Sequence, residues 1–296
     1  AHDTLRNGRA DLITVRVMGM ASGAPALDYT VNSAVGYPDL TGSGPGPVNH
    51  VLPAWDLLTG AYAAFAMMAA LHHRERTGEG QEVRIPLSDV AIGTVANLGS
   101  LAEVLYSGAN RERLGNAVYG AFGRDFITRD GTRLMIMAIT ARQWSGLVKV
   151  LALEDAISEI EARRGVSFAR DEGVRFAHRD VLFPLVERAV SDWEYPALAQ
   201  ALDAVGGCYG PYQTMLDAAH DPVLVGGNPI FAETANPSGF GYPAAGAFAT
   251  IPQLDRGAPR PAPLLGQHTD EVLATAFGMA DGEIGSLHDR GLIHQA

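Results

Sequence analysis

The sequence predicts an α/β protein built in more than one part, and three observations carry that prediction. Strand-like and helix-like segments alternate from the start of the chain to about Tyr106. The chain holds 34 Gly and 17 Pro with only 19% charged residues, a loop-rich composition unlike that of a helical bundle. After Gly108 the texture changes to glycine punctuation, a hairpin and a run of helices. With 296 residues, 47% of them hydrophobic, the chain can bury a sizeable core in one large or two moderate domains.

Residues 10–17 read as an interior strand ending near Met18-Gly19. The chain opens without Met and with a strand a few residues in, so it is expected to begin in the middle of a domain. Residues 23–47 read as a loop, with Gly-Ser-Gly-Pro-Gly-Pro at 42–47. That run is no dinucleotide fingerprint, because no helix opens directly after it and Pro45 and Pro47 lack amide donors.

The extended stretch Val48-Asn49-His50-Val51-Leu52-Pro53-Ala54-Trp55-Asp56 then leads into a helix expected over about 57–76. The helix stops at Thr77-Gly78-Glu79-Gly80. His72, His73, Arg74 and Arg76 suit the negative end of its dipole, and Gly78 suits a left-handed cap. A strand at 82–87 follows, and Ser88-Asp89 are expected to cap a helix running to about Tyr106.

Leu114 to Phe126 is punctuated by Gly115, Gly120 and Gly123. A hairpin comes next, turning at Arg129-Asp130-Gly131-Thr132 and returning over 134–139. Helices are expected near 141–151, 154–163, 170–191 and 195–204, then a strand at 209–213 and a short helix at 214–220. Residues 222–263 are rich in Pro and Gly, with short strands at about 229–235 and 246–251. A C-terminal helix follows with Thr269 as N-cap, and a final helix spans about 281–289. No internal repeat is visible.

The totals exclude several functions. A net charge of -11 argues against a nucleic-acid surface or a polybasic membrane anchor. The longest apolar run, 57–71, is interrupted by Gly60 and too short to span a bilayer, and no signal-peptide pattern opens the chain. Lys149 is the sole lysine, so a P-loop lysine is absent. The single cysteine, Cys208, rules out an internal disulfide and a cysteine-rich zinc site and fits a reducing cytoplasm. No metal site is expected, since no His, Glu or Asp has the spacing of a zinc helix.

Asp56 is the residue that carries chemistry. An acid at a helix start accepts hydrogen bonds from the first free amides, so on the residues alone it reads as a cap or as a reactive carboxylate. A rigidly aimed, ionised carboxylate with one unsolvated face is a nucleophile, and Pro53 and Trp55 can dry its approach. His50, six residues earlier, is placed to share a pocket with it. Glycines 115, 120 and 123 can expose amides to a developing oxyanion, although such connections are usually turns. No Gly-x-Ser-x-Gly elbow is present.

These blocks together resemble a known family. Trp-Asp-Leu-Leu-Thr-Gly at 55–60, Ala-Ala-Leu-His-His-Arg-Glu-Arg-Thr-Gly-Glu-Gly-Gln at 69–81, the Val-Arg-Ile-Pro-Leu-Ser-Asp-Val strand end at 83–90 and Ala-Pro-Leu-Leu-Gly-Gln-His-Thr at 262–269 are similar, in this order, to family III (formyl-CoA transferase-like) CoA-transferases. Residues 48–56 and 119–126 look most like the members that move CoA between the two carboxyls of mesaconate.

The resemblance implies a Rossmann-like large domain with a smaller inserted α+β domain, and an amino-terminal part of the large domain missing from this chain. Residues 1–110 and 223–296 would belong to the large domain and 111–222 to the small one. It implies an enzyme in which Asp56 passes through an aspartyl-CoA thioester, with Asn49, His50, Tyr119 and Gly120 binding substrate. The substrate would be the CoA thioester of a C4/C5 dicarboxylic acid, with no separate cofactor and with CoA-binding residues not assignable. It further implies an interlocked homodimer. Transfer between different acids is the near alternative, and a silent CoA-binding scaffold the non-enzyme one. A racemase, which uses a His-Asp pair, is disfavoured because Leu27-Asp28 stands at that motif and leucine is no base.

Overall fold

The predicted alternation is present in the computed structural model, which describes residues 2–294. The class is mixed α/β, with one parallel and two antiparallel sheets. Packing divides the chain into two compact units between Pro211 and Tyr212.

The first unit begins with a single turn, α1 (His2–Leu5), and β1 (Thr14–Met18). β1 pairs in parallel with β2 (Glu82–Pro86), Thr14 opposite Glu82 and Met18 opposite Pro86. Parallel strands need a long crossover. Here it carries α2 (Asp28–Ala34), α3 (Tyr37–Leu40) and α4 (Ala54–Thr77). The stretch expected to be loop between 23 and 47 therefore contains two short helices. The tail of α4 behaves as its sequence dictates. Gly78 adopts φ +78° and returns its N–H to Arg74 O at 2.7 Å. Gly80 lies against the backbone of β1's approach, where a Cβ would stand 2.0 Å from Leu12 O. Both glycines of the Thr-Gly-Glu-Gly run are thus required by backbone geometry.

The helix expected over 88–106 is two helices, α5 (Leu87–Asn97) and α6 (Ser100–Ser107), meeting at 65°. Gly99, at φ +81°, makes the corner. Ser88 and Asp89 sit inside the first turn rather than capping it; Pro86 is the N-cap residue, and Ser88 Oγ bonds Asp89 Oδ1 instead. Val31, Trp55, Leu87, Ala91 and Val95 form the core between α2, α4 and α5.

α4 is longer than the apolar run that announced it. Its 24 residues reach the length and composition of a membrane span, against the expectation from residues 57–71 alone. It nevertheless packs on β1, β2, α2 and α5.

The rest of this unit is a three-stranded antiparallel sheet, β3 (Phe122–Ile127), β4 (Arg133–Ala138) and β5 (Cys208–Pro211), in that order. Helices α7 (Ala141–Val150), α8 (Glu154–Arg164), α9 (Glu172–Ala177), α10 (Arg179–Ser191) and α11 (Tyr195–Val205) lie between its second and third strands. The helix expected over 170–191 breaks at His178, which is C-cap of α9 and N-cap of α10. Thr140 and Gln143 close a reciprocal capping box on α7. Arg175 is fully buried and donates to the Phe168 and Ile139 carbonyls, fastening α9 to the end of β4.

The second unit holds α12 (Met215–His220), a π-helical turn at Pro222–Gly226, the antiparallel pair β6 (Phe231–Ala235) and β7 (Gly241–Ala245), α13 (Thr269–Phe277) and α14 (Asp281–Asp289). The second strand of that pair arrives five residues earlier than the expected 246, because Gly239 at φ +82° turns the chain early. Thr269 is the first residue of α13, not its cap. His268 holds the N-cap position without a side-chain cap bond. His288 Nε2 meets Asp270 Oδ1 at 2.8 Å and ties α14 to α13.

Candidate active site

The first turn of α4 is the candidate site, and its amides can be accounted for one by one. Pro53 is the N-cap residue and offers no side-chain acceptor. The Ala54 N–H donates to Leu52 O at 2.8 Å. The next two, on Trp55 and Asp56, both donate to Asp28 Oδ2, at 2.7 and 3.1 Å. The Leu57 N–H makes the first intrahelical bond, to Pro53 O. The cap of α4 is therefore a carboxylate on another helix, binding the amides that a local Ser or Asp normally takes.

This corrects the expectation that Asp56 caps its own helix. Asp56 sits in the first turn, exposed, and among the described residues its carboxylate accepts no hydrogen bond. A tertiary competitor holds the amides that local reasoning gave to it. The helix dipole still favours an anion at this end. The enclosed, dry approach expected around Asp56 is not formed by the described residues, which leave it exposed.

Asp28 is 2% exposed and opens α2; Asn32, one turn later on the same face, is fully buried. Asn32 Oδ1 accepts the indole N–H of Trp55 at 3.0 Å, and its Nδ2 donates to Asn49 Oδ1 at 3.0 Å. Trp55 is thus gripped at its backbone by Asp28 and at its ring by Asn32, with the Tyr37 ring 6.2 Å away. Three buried polar atoms around this turn have no partner among the described residues: Asp28 Oδ1, His50 Nδ1 and Thr59 Oγ1. Unpaired buried groups are few in native proteins and concentrate where function demands them.

Of the expected substrate-binding residues, Asn49 joins this network through Asn32, and His50 stands half-buried beside it in the chain. Among the described residues Tyr119 and Gly120 make no hydrogen bond to this network. The Tyr119 hydroxyl donates to Glu103 Oε1 at 3.1 Å, and Arg111 lies 3.7 Å over its ring. The Arg111 guanidinium, paired with Glu103, holds that carboxyl below the usual range, and the Tyr119 hydroxyl adds to the effect. Gly120, at φ +76°, turns the chain into β3. Sequence reasoning missed Asp28 and Asn32 as site residues. The available signal was their i, i+4 spacing between apolar neighbours.

A cavity of about 580 Å³ lies away from Asp56 and is lined by Glu112, Arg113, Arg124, Arg179 and Asp180 among others. Its arginines are already occupied: Arg113 by backbone carbonyls and Asp39, Arg124 by Glu187, Arg179 by Glu112. Among the described residues no cluster of His, Cys, Asp and Glu could hold a metal ion.

Comparison with known proteins places this geometry in a family. Residues 1–269 match the description "CoA-transferase family III". The chain is 40% identical to the 2-methylfumaryl-CoA isomerase of Chloroflexus aurantiacus, over 99% of this chain and 72% of that protein. It is 27% identical to the succinyl-CoA:mesaconate CoA-transferase of Haloarcula marismortui, over 93% of this chain and 69% of that one. The fold matches a CAIB/BAIF family protein from Brucella suis with a TM-score of 0.71 at 24% identity, covering 93% of this chain and 70% of that chain. A Mycobacterium tuberculosis protein matches with a TM-score of 0.74 at 22% identity, over 93% and 71%. The alignment runs through the parallel strand pair, the capped helix and the antiparallel sheet alike, and the chain belongs to CoA-transferase family III.

Proposed function

We propose that Asp56 is the nucleophile of an intramolecular CoA transfer between C1 and C4 of mesaconyl-CoA (2-methylfumaryl-CoA). The observation that carries the reading is the state of the Asp56 carboxylate. It stands exposed at a fully capped helix start and, among the described residues, is bound to nothing that must first be displaced. The identity to a 2-methylfumaryl-CoA isomerase along nearly the whole chain supports the choice of substrate.

The steps balance without a cofactor. An Asp56 oxygen attacks the C1 thioester carbonyl, the C–S bond breaks, and a mixed anhydride and CoA thiolate result. The thiolate attacks the aspartyl carbonyl of that anhydride, releasing the C1 carboxylate and leaving an aspartyl-CoA thioester. The C4 carboxylate of the retained mesaconate attacks this thioester and expels the thiolate again. Attack of the thiolate on the C4 carbonyl then frees Asp56 as a carboxylate. Retention of mesaconate while CoA is on the enzyme requires donors that hold a free dicarboxylate. Asn49 Nδ2, half-buried His50 and the Gly120 amide are assigned that role, and the Tyr119 hydroxyl joins them only by leaving Glu103 Oε1. The amides at the start of α4 are spent on Asp28, so oxyanion stabilisation falls to donors outside that turn. The reading includes a homodimer in the cytoplasm.

The test uses the full-length protein with mesaconyl-C1-CoA, quenched with hydroxylamine, which attacks the aspartyl thioester and leaves a hydroxamate on Asp56. Peptide mass spectrometry reads the hydroxamate and chromatography the C4 isomer. Both signals are expected, and Asp56→Asn is expected to abolish both while folding normally. Unchanged turnover in that variant sinks the nucleophile reading and leaves a scaffold. Exchange of labelled free mesaconate into the thioester would instead mean transfer between different acids.

A further inference from the structure

We propose that Asp28 is a positioning residue for Asp56, an inference that rests on Asp56 being the nucleophile. The carboxylate of Asp28 takes the Trp55 and Asp56 amides on a single oxygen, at 2.7 and 3.1 Å, from a site 2% exposed. Without that acceptor the two donors are left open, and the one carboxylate in their own turn is that of Asp56. An aspartate in the first turn turns readily back onto such amides. In that position its oxygens are engaged and its attack direction is lost. Asp28 therefore keeps Asp56 out of the capping role that its own sequence position invites.

The surrounding contacts restrict the arrangement to one geometry. Asn32, on the same face of α2, fixes the indole of Trp55, so the residue preceding the nucleophile is held at backbone and ring together. Pro53 at the N-cap position excludes a local acceptor. Capping has been moved off the helix onto a neighbour, and the helix start is left with one free carboxylate. The acceptor oxygen is the feature that matters, so asparagine at position 28 can serve and alanine cannot.

Asp28→Ala, Asp28→Asn and Asp56→Asn are compared on the full-length enzyme for kcat, KM and the yield of Asp56 hydroxamate. Thermal melts check folding. Asp28→Ala is expected to lower kcat about 100-fold, the scale of a nucleophile misplaced by about 1 Å. Hydroxamate yield should fall in parallel while KM stays within about threefold. Asp28→Asn is expected to restore kcat to within about threefold of the parent. Because the effect runs through Asp56, adding Asp28→Ala to Asp56→Asn should cost nothing further. If Asp28→Ala does not fold, Asp28→Ala with Pro53→Asp supplies a local cap, and recovered turnover is expected from it.

The proposal is overturned if folded Asp28→Ala keeps its kcat, if Asp28→Asn loses as much as alanine while melting normally, or if the relocated cap folds without activity. An active Asp56→Asn removes the nucleophile reading itself. An inactive Asp56→Asn beside a fully active Asp28→Ala removes this inference alone.

Discussion

Two regions of the first unit use the same kind of residue in opposite ways. Around β3, β4 and helices α7 to α11, nineteen hydrophobic residues from Phe122 to Leu202 close on one another in a single core. Around α2, α4 and α5, five do so, although α4 alone among the described helices is by itself long and apolar enough to span a membrane. Only Trp55, Thr59 and Ala70 of its 24 residues are buried. Leu57, Ala61, Phe65 and Met68, which share one face at i, i+4 and i+3 spacing, are exposed. Apolar content therefore measures what a segment can bury, and the structure decides where it does so. In the first region the chain supplies its own cover. In the second, order comes from a carboxylate on two amides, an amide on an indole, and two glycines, Gly78 in the left-handed region and Gly80 at close backbone approach.

The largest test of that contrast is Phe122→Ala. Its ring is fully buried against Phe126, Trp144 and Phe183, so truncation should cost about 3–5 kcal/mol in a denaturant titration. A loss under 1 kcal/mol would mean that this core is no better filled than the other. A smaller effect is expected where that region meets solvent. Tyr209 on β5 donates to Ala199 O at 3.2 Å and Asp203 Oδ1 at 2.9 Å. Burial, reinforced by the Asp203 carboxylate, pushes its ionisation up to about 12. The folded state thus keeps the proton longer than the unfolded chain. The resulting stabilisation is present below pH 10 and is lost as pH rises from about 10 to about 12. Tyr209→Phe should cost about 1 kcal/mol at neutral pH and flatten that alkaline decline. Stability against pH, with tyrosinate absorbance, reads both.

The sequence made the frame legible where local rules were unopposed. Gly78 ends α4 in the left-handed region as its place after a cationic turn implies, and the 281–289 helix was readable to its ends. The family blocks fixed the order of strand, helix and strand around Asp56. What stayed hidden depended on residues far apart in the chain. α2 passed for loop because its value lies in Asp28 and Asn32 meeting Trp55 more than twenty residues later. Asp56 looked like the cap because nothing local competes for its amides; the competitor arrives through tertiary packing. The bend at Gly99 was hidden for a related reason, since the apolar pattern runs on through it and only the left-handed glycine turns it. Tyr119 was grouped with the site by similarity of its block, while its ring and hydroxyl answer to Arg111 and Glu103.

The smallest expected effect makes the sharpest use of the comparison. Phe65 is 73% exposed and Met68 64%, so each contributes little transfer free energy to the fold of this chain. Phe65→Ser and Met68→Ser should each change its stability by no more than about 0.5 kcal/mol, as substitutions away from buried features do. The same change at a buried phenylalanine costs several times that. A contiguous apolar stripe of this kind is unusual on a free surface, which gives the measurement its force. A loss above about 1.5 kcal/mol, falling as protein is diluted, would show that another copy covers α4 in solution. The poorly buried region would then be completed between chains, and the two regions would obey one rule of packing. An unchanged stability at every concentration keeps them distinct, with α4 held by its capped start and its glycine-bounded end.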